Sequence, residues 1–477
     1  MDFTNYKSEE FFDEFFNATG EVRSLVKPLV DRINSLSKDE LKTRQEAANA
    51  MFMTLGITFG VYGEQKAQEK IFPFDIIPRV ISSSEWLHIE KGLQQRITAL
   101  NLFIQDVYND EKIFKDGVVP RELVMSAKSY LPVMKGFTPP NKVWIPITGI
   151  DLVRDADGTI YVLEDNLRCP SGISYVLANR SIVKKSFPNA LKTMRVSAVD
   201  DYCLQLYSTL NALRPNRDCP NSIALLTPGV YNSAYYEHAF LAKQMGIDLA
   251  EGSDFKVIDD IVMMRKTHGF ERVDVIYRRV DDDYLDPRVF REDSMLGIPG
   301  LMASYLKGNV ALANAPGAGI ADDKAVYAYV PQMIKYYLDE EPILPNVPTH
   351  ICDEPKSRDY VINNLDKMVV KATNLAGGYG MLMGHQASQK ERDEFKQAIL
   401  ANPRNYIAQP RLNLSRVPTI VEQTIEGRHV DFRPYILYGD DLYVLPGGLT
   451  RVALVKDSLV VNSSQGGGSK DTWVLKS

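Results

Sequence analysis

A mixed α/β fold of more than one layer is what this 477-residue sequence predicts, and three stretches carry the prediction. An acidic hairpin occupies 148–172, TGIDLVRDADGTIYVLEDNLRCPSG. A strand–helix–strand succession runs from Ser222 to Arg279. A strand at Met368–Val370 delivers Lys371 into a glycine-rich loop. Strands alternating with helices point to a parallel sheet, and the C-terminal run of short strands points to an antiparallel one. At this length two or three cores are expected.

Residues 1–115 read as mainly helical. Pro73 and Pro78 interrupt that pattern, so a loop is expected there. Ser84 then opens a helix reaching Asp106, with Leu87, Leu93, Ile97, Leu100 and Ile104 at helical spacing. Arg79, His88 and Arg96 are expected on a solvated or salt-bridged face rather than at a ligand.

In the hairpin, Ile150–Arg154 and Thr159–Leu163 are strands joined by the turn Asp155–Gly158. Alternation sets Asp151 on one face, and the second strand ends on Glu164 and Asn166. Mg²⁺ takes hard oxygen ligands shared between carboxylates and substrate phosphates, which suits Asp151, Glu164 and Asn166; a purely structural acidic hairpin would carry the same residues.

Helices are predicted at 174–180 and 197–213, then a strand at 222–226, a helix at 233–242 and a strand at 273–277. Ligands in such sheets bind beyond the carboxyl ends of the strands. Asn232, Tyr235, Arg278 and Arg279 are therefore candidates for an anionic amino acid or peptide, with pairing to Asp281–Asp283 as the structural alternative. Lys324 opens a helix reaching about Leu338. After Lys371, Gly377, Gly378 and Gly380 allow backbone N–H groups to cradle phosphate; the pattern is neither a P-loop nor GxGxxG. Gln409 precedes Pro410 at an extended step that could read an adenine edge. His429, Asp431 and Arg433 alternate onto one strand face, and Arg451 adds a cation. The tail 463–471 reads as a glycine-rich linker or, because Thr472–Leu475 looks packed, as a substrate-facing loop.

A net charge of −6 without a basic run argues against nucleic acid. The cysteines Cys169, Cys203, Cys219 and Cys352 lack zinc or disulfide spacing and fit a reduced, cytoplasmic setting. The acidic, aromatic start does not read as a signal peptide, and no apolar run is long enough for a membrane span. Oligomeric state is left open.

Together these stretches resemble the circularly permuted (type 2) ATP-grasp family, and are similar to glutathionylspermidine synthetase-like carboxylate–amine ligases. The motifs are IFPFDIIPRVI with EWLHIEKGLQQRITALNLFIQDVY, GIDLVRDADGTIYVLEDNLRCPSG, LTPGVYNSAYYEHAFLAKQMGI, DDKAVYAYVPQMIKYYL, VVKATNLAGGYG and SSQGGGSKDTW. The resemblance implies a helical N-terminal region (1–115), a metal-binding core part (116–200), a pre-ATP-grasp-like α/β substrate domain (201–318) and a nucleotide-binding part (319–477). Its cofactors would be ATP and Mg²⁺, and its substrates a small-molecule or peptide carboxylate and an amine, joined through an acyl phosphate. Asp151, Glu164 and Asn166 would hold Mg²⁺. Lys324 and Lys371 would contact phosphates, Gly377, Gly378 and Gly380 would form a lid, and Gln409 would lie at the adenine hinge. Arg433 or Arg451 would stand near the γ-phosphate. Many such ligases carry an arginine two residues before the metal-binding aspartate, where this chain has Gly149; Arg168 is the expected substitute. That departure keeps two alternatives open: an ATP-dependent phosphotransferase, or a non-catalytic nucleotide-binding partner protein.

Overall fold

The computed structural model describes residues 3, 6–7, 11–60, 69–215, 222–374, 380–422, 424–456, 458, 461 and 467–477. Helices α1 (Lys27–Asn34) and α2 (Lys38–Thr54) precede strand β1 (Phe74–Ile81) and the long helix α3 (Ser83–Tyr108). The hairpin β2 (Ile147–Arg154) and β3 (Ile160–Asn166) leads into α4 (Ile173–Ser186). A parallel unit follows, with β4 (Ile223–Leu226), α5 (Tyr235–Met245), β5 (Asp248–Ala250), β6 (Val275–Arg278) and β7 (Ala311–Ala313). After the short helix α6 (Lys324–Tyr327) come β8 (Met368–Ala372), β9 (Met381–Met383), α7 (Gln389–Ala401) and β10 (Tyr406–Pro410). The chain closes through β11 (Arg416–Val421), β12 (Thr424–Arg433), β13 (Tyr435–Tyr438), β14 (Leu442–Val444), β15 (Leu449–Val452) and β16 (Gly468–Val474).

A nine-stranded sheet is the centre, in the order β14-β13-β2-β12-β15-β16-β1, with β11 on β12 and β3 on β2. Its strands come from the N-terminal, hairpin and C-terminal regions of the chain, so the site at its middle is assembled from distant sequence. The expected parallel sheet is present as β7-β6-β4-β5, and β8, β9 and β10 form a separate antiparallel sheet with His350–Ile351 at its edge. Helix α3 starts where Ser82 accepts a hydrogen bond from the Glu85 N–H at 3.2 Å. Its stripe Leu93, Ile97, Leu100 and Ile104 is fully buried in the main core.

Two expectations are corrected. The loop expected at Pro73–Pro78 is strand β1, buried along its whole length and parallel to β16. Pro78 is tolerated because β1 ends the sheet and the register shifts between Lys470 and Thr472, opposite this stretch. The tail is no substrate-facing loop from Gly468 onward, since Ser469, Lys470 and Asp471 lie inside buried strand β16. The Lys470 ammonium donates to Asp75, to the Ile77 carbonyl at 3.0 Å and to the Pro418 carbonyl at 2.8 Å, and Arg180 Nε donates to Asp471 at 2.8 Å. Residues 462–466 of that segment lie outside the described residues.

Candidate active site

The acidic hairpin presents its carboxylates at one point. Asp151 and Glu164 are paired across β2 and β3, and a bulge follows Asp151 immediately. Bulges re-aim side chains, and here Asp151 is buried facing β12 and β15. Arg433 grips it with Nε to Oδ1 at 2.5 Å and Nη2 to Oδ2 at 2.8 Å. Arg451 adds Nη2 to Oδ2 at 2.6 Å and also holds Asp431. Burial raises the Asp151 pKa, but the two guanidinium groups outweigh burial and hold it well below the usual carboxylate range. Asp431, with Arg451 as its main partner, is instead pushed up by burial. Asn166 Nδ2 lies 3.4 Å from Asp151 Oδ1.

The lysines reach the same place from the other side. Lys324, at the start of α6, sits 3.4 Å from Glu164. Asp323 fixes that helix start by accepting from the Ala325 N–H at 2.8 Å, and Arg404 holds Asp323 in turn at 3.0 Å. Lys371 on β8 is half-buried, and its ammonium donates to Gln409 Oε1 at 2.8 Å. Burial pushes the Lys371 pKa down to about 8; Glu164 opposes that shift, Lys324 adds to it, and Asp151 opposes it further. The lysine ahead of the glycine loop therefore feels the hairpin carboxylates directly. Gln409 pairs with Val369 across β8 and β10, and its amide also donates to Thr349 Oγ1 at 3.0 Å. Gly377 and Gly378 lie outside the described residues, whereas Gly380 is described with φ +64°, a conformation glycine adopts freely.

A narrow cleft opens here, lined by Glu164, Asn166, Lys324 and Asn374. Arg168, Asp322 and Ser129 line it as well. Arg168 Nε donates to Asp322 Oδ2 at 2.6 Å, and burial raises the Asp322 pKa against that pairing. Sequence reasoning missed Asp322, Ser129 and Thr373. The signal for Asp322 was the doubled acid before Lys324, of which the helix cap uses only one.

Gly149 acquires a physical reason. A Cβ there would lie 3.2 Å from both Arg433 Cδ and Pro170 Cβ, so the stem of Arg433 fills the space over this residue. Arg433 on β12 places its guanidinium beside Asp151.

The residues expected beyond the parallel sheet are not assembled into an open clamp. Arg278 is buried, with Nε on the Asn314 carbonyl at 2.7 Å, Nη1 on the Val280 carbonyl at 2.8 Å and Nη2 on Asp282 at 2.6 Å. Arg279 Nη1 donates to the Pro170 carbonyl at 2.8 Å, and its Nη2 donates to Ser171 Oγ at 2.5 Å and Glu237 at 2.9 Å. Arg278 ties β6 to the segment after β7, and Arg279 holds the parallel unit against the 168–172 loop. Asn232 turns its side-chain oxygen to the Ala234 N–H at 2.9 Å, and Tyr235 is half-buried at the start of α5. Arg79 and Arg96 are structural as expected, bonded to Glu14 and Asp165.

Among the described residues no three His, Cys, Asp or Glu side chains are grouped so as to hold a metal alone. The set Asp151, Glu164 and Asn166 has the hard-oxygen chemistry of a cation that completes its shell with water and phosphate oxygens; Glu164 and Asn166 face the cleft, whereas both Asp151 oxygens are held by Arg433 and Arg451 and would have to be shared with the ion. No helix among the described residues is long and apolar enough to cross a membrane.

The family model described as circularly permuted ATP-grasp type 2 matches residues 78–453. An uncharacterised protein of Synechocystis sp. is 56% identical over 477 residues, covering 100% of this chain and 99% of that protein. An uncharacterised protein of Mycobacterium tuberculosis is 49% identical over 97% of this chain and 84% of its own length. A Frankia alni protein provisionally named a glutamate–cysteine ligase is 40% identical over 97% of this chain, which spans only 54% of that protein. The solved structure of a glutathione synthetase-like effector from Globodera pallida, in its apo form, superposes with a TM-score of 0.56 at 12% identity, covering 92% of this chain and 98% of that one; it shares the fold.

Proposed function

The chain belongs to the circularly permuted ATP-grasp type 2 family and is a carbon–nitrogen ligase of that fold, and from this premise we propose that it activates a carboxylate with ATP and Mg²⁺ and passes the acyl phosphate to an amine. The observation that carries this reading is the 3.4 Å approach of Lys324 to Glu164, with Lys371 beside both. One triphosphate could then be met by the two lysines and by a cation on Asp151, Glu164 and Asn166. Mg²⁺ bound there would neutralise phosphate charge and polarise the γ-phosphate. Arg433 and Arg451, held at Asp151, would face charge developing on the transferred phosphoryl and on the tetrahedral oxyanion. Phosphoryl transfer is mostly positioning and charge neutralisation, so no covalent protein nucleophile is needed.

The test is ADP release from the full chain with Mg²⁺ over pairs of amino acids, short peptides and polyamines, with mass spectrometry for a product lighter by one water than the summed reactants. Asp151→Asn and Glu164→Gln should each lower turnover by roughly a hundredfold or more with an unchanged far-UV CD spectrum. Turnover retained in both variants removes the metal assignment. ADP release that needs one acceptor and no amine would make the protein a phosphotransferase.

A further inference from the structure

The buried arginines around the two charge clusters are well partnered. Arg278, Arg279 and Arg433 each donate to several acceptors, and Arg96 closes bidentately on Asp165 at 2.7 Å and 2.7 Å with Asn346 as a third acceptor. Arg168 differs. It lines the cleft and spends only Nε on Asp322 Oδ2, so among the described residues both of its Nη groups lack an acceptor. Asp322 Oδ1 likewise accepts no hydrogen bond among the described residues, although the side chain is only 11% exposed. The pair is held in place from below, where a Cβ on Gly319 would come within 2.8 Å of Arg168 Cδ and 2.9 Å of Ser129 Cβ. An ion pair joined through a single bond thus offers a free two-donor fork and a free carboxylate oxygen side by side, in the cleft that also holds Glu164 and Asn166.

We infer that Arg168 and Asp322 form the head-group clamp for the amine substrate, and that this substrate is an α-amino acid taken as its zwitterion. The carboxylate lies on the Arg168 fork and the ammonium on Asp322 Oδ1. A neutral or singly charged amine would leave one half of the pair unpaired; the cost falls mainly on Asp322, 11% exposed, since the Arg168 side chain is 35% exposed and part-solvated, and selectivity arises there. The inference rests on the ligase reading above. The ammonium passes one proton to Asp322, the nitrogen lone pair forms the C–N bond, the C–O bond to phosphate breaks, and phosphate leaves with that electron pair and the second nitrogen proton.

The experiment uses the full chain saturated with Mg²⁺ and a non-hydrolysable ATP analogue, titrated calorimetrically with the standard α-amino acids. The best binder is then compared with its methyl ester and its N-acetyl derivative. At least one amino acid should bind, with both derivatives weakened by roughly tenfold or more, the size of one lost charged hydrogen bond. Arg168→Met should erase discrimination against the ester alone, and Asp322→Asn discrimination against the N-acetyl compound alone, with nucleotide affinity unchanged in both. Binding of the analogue without any amino acid, or selectivity unaltered in both variants, overturns the clamp and leaves the ligase reading standing. Failure of the analogue itself to bind would overturn both. If Asp322→Asn fails to fold, the ester comparison in Arg168→Met decides alone.

Discussion

Two crevices in this molecule carry the same residue types and differ in how completely those residues are partnered. Beyond the parallel sheet, Arg278 and Arg279 meet carbonyls, a hydroxyl and carboxylates on their terminal nitrogens, and Glu237 accepts from the Gly172 N–H at 2.8 Å and Ser174 Oγ at 2.9 Å as well as from Arg279. At the hairpin cleft, Lys371 has a single acceptor, Gln409, and Arg168 has one carboxylate oxygen. Two lysines repeat the contrast: among the described residues, buried Lys470 has three acceptors and half-buried Lys371 one. Buried charge that is met on its terminal atoms holds elements together, whereas part-buried charge at a cleft with unspent donors is ready for a ligand.

The widest separation between the crevices should appear in ATP turnover. Glu164→Gln or Lys371→Met should lower kcat/KM for ATP by roughly a hundredfold to a thousandfold, the scale of removing one preorganised charge from a transition state. Glu237→Gln should leave ATP affinity within about twofold and instead destabilise the fold, because breaking a buried pair costs about 3–5 kcal/mol. Calorimetric melting should record that loss as a fall of several degrees in Tm. A Glu237→Gln protein of unchanged Tm but impaired turnover would reverse the contrast.

A third case extends the rule to a carboxylate. Glu14 accepts from Arg79 at 2.7 Å and 2.5 Å, from Arg154 at 3.1 Å and from Ser415 at 2.8 Å. Burial alone would raise its pKa, but Arg79 and Arg154 bring it down to about 2. A folded pKa below the unfolded value means the stabilisation is present above about pH 4.5 and lost as pH falls towards 2. It is worth about 3 kcal/mol. Acid unfolding of Glu14→Gln should therefore lose that pH dependence and start from a lower stability at neutral pH.

The sequence displayed what is local and hid what is relational. Asp151, Glu164 and Asn166 were readable because a two-residue alternation and a strand end place them together. Helix α3 was readable from its apolar period. Strand β1 was not, because its partner β16 lies nearly 400 positions away and two prolines mimic a loop. That the terminal nitrogens of Arg278 and Arg279 are met was invisible for a similar reason: their acceptors at Pro170, Ser171, Glu237 and Asn314 are brought in by packing, and an Arg-Arg step at a strand end looks the same open or closed. Asp322 was passed over because a helix start accounts for one acid, and nothing in the chain says which of two neighbours is left free.

The finest test of the comparison is the proton on Lys371. Its pKa of about 8 lies below the ordinary 10.5, so the charged form is penalised in the folded, ligand-free protein. That penalty is present below pH 8 and relieved as pH rises towards 10.5, the opposite of a lysine gaining a partner. A triphosphate needs the ammonium form, so ATP affinity should be flat below about pH 8 and fall by about tenfold per pH unit between 8 and 10.5. Lys371→Arg keeps its charge across that range and should show no such bend. Equilibrium binding of a fluorescent ATP analogue, measured against pH for both proteins, separates the cases. A bend of equal size in the arginine variant would assign the titration to another group and deprive Lys371 of its place on the phosphates.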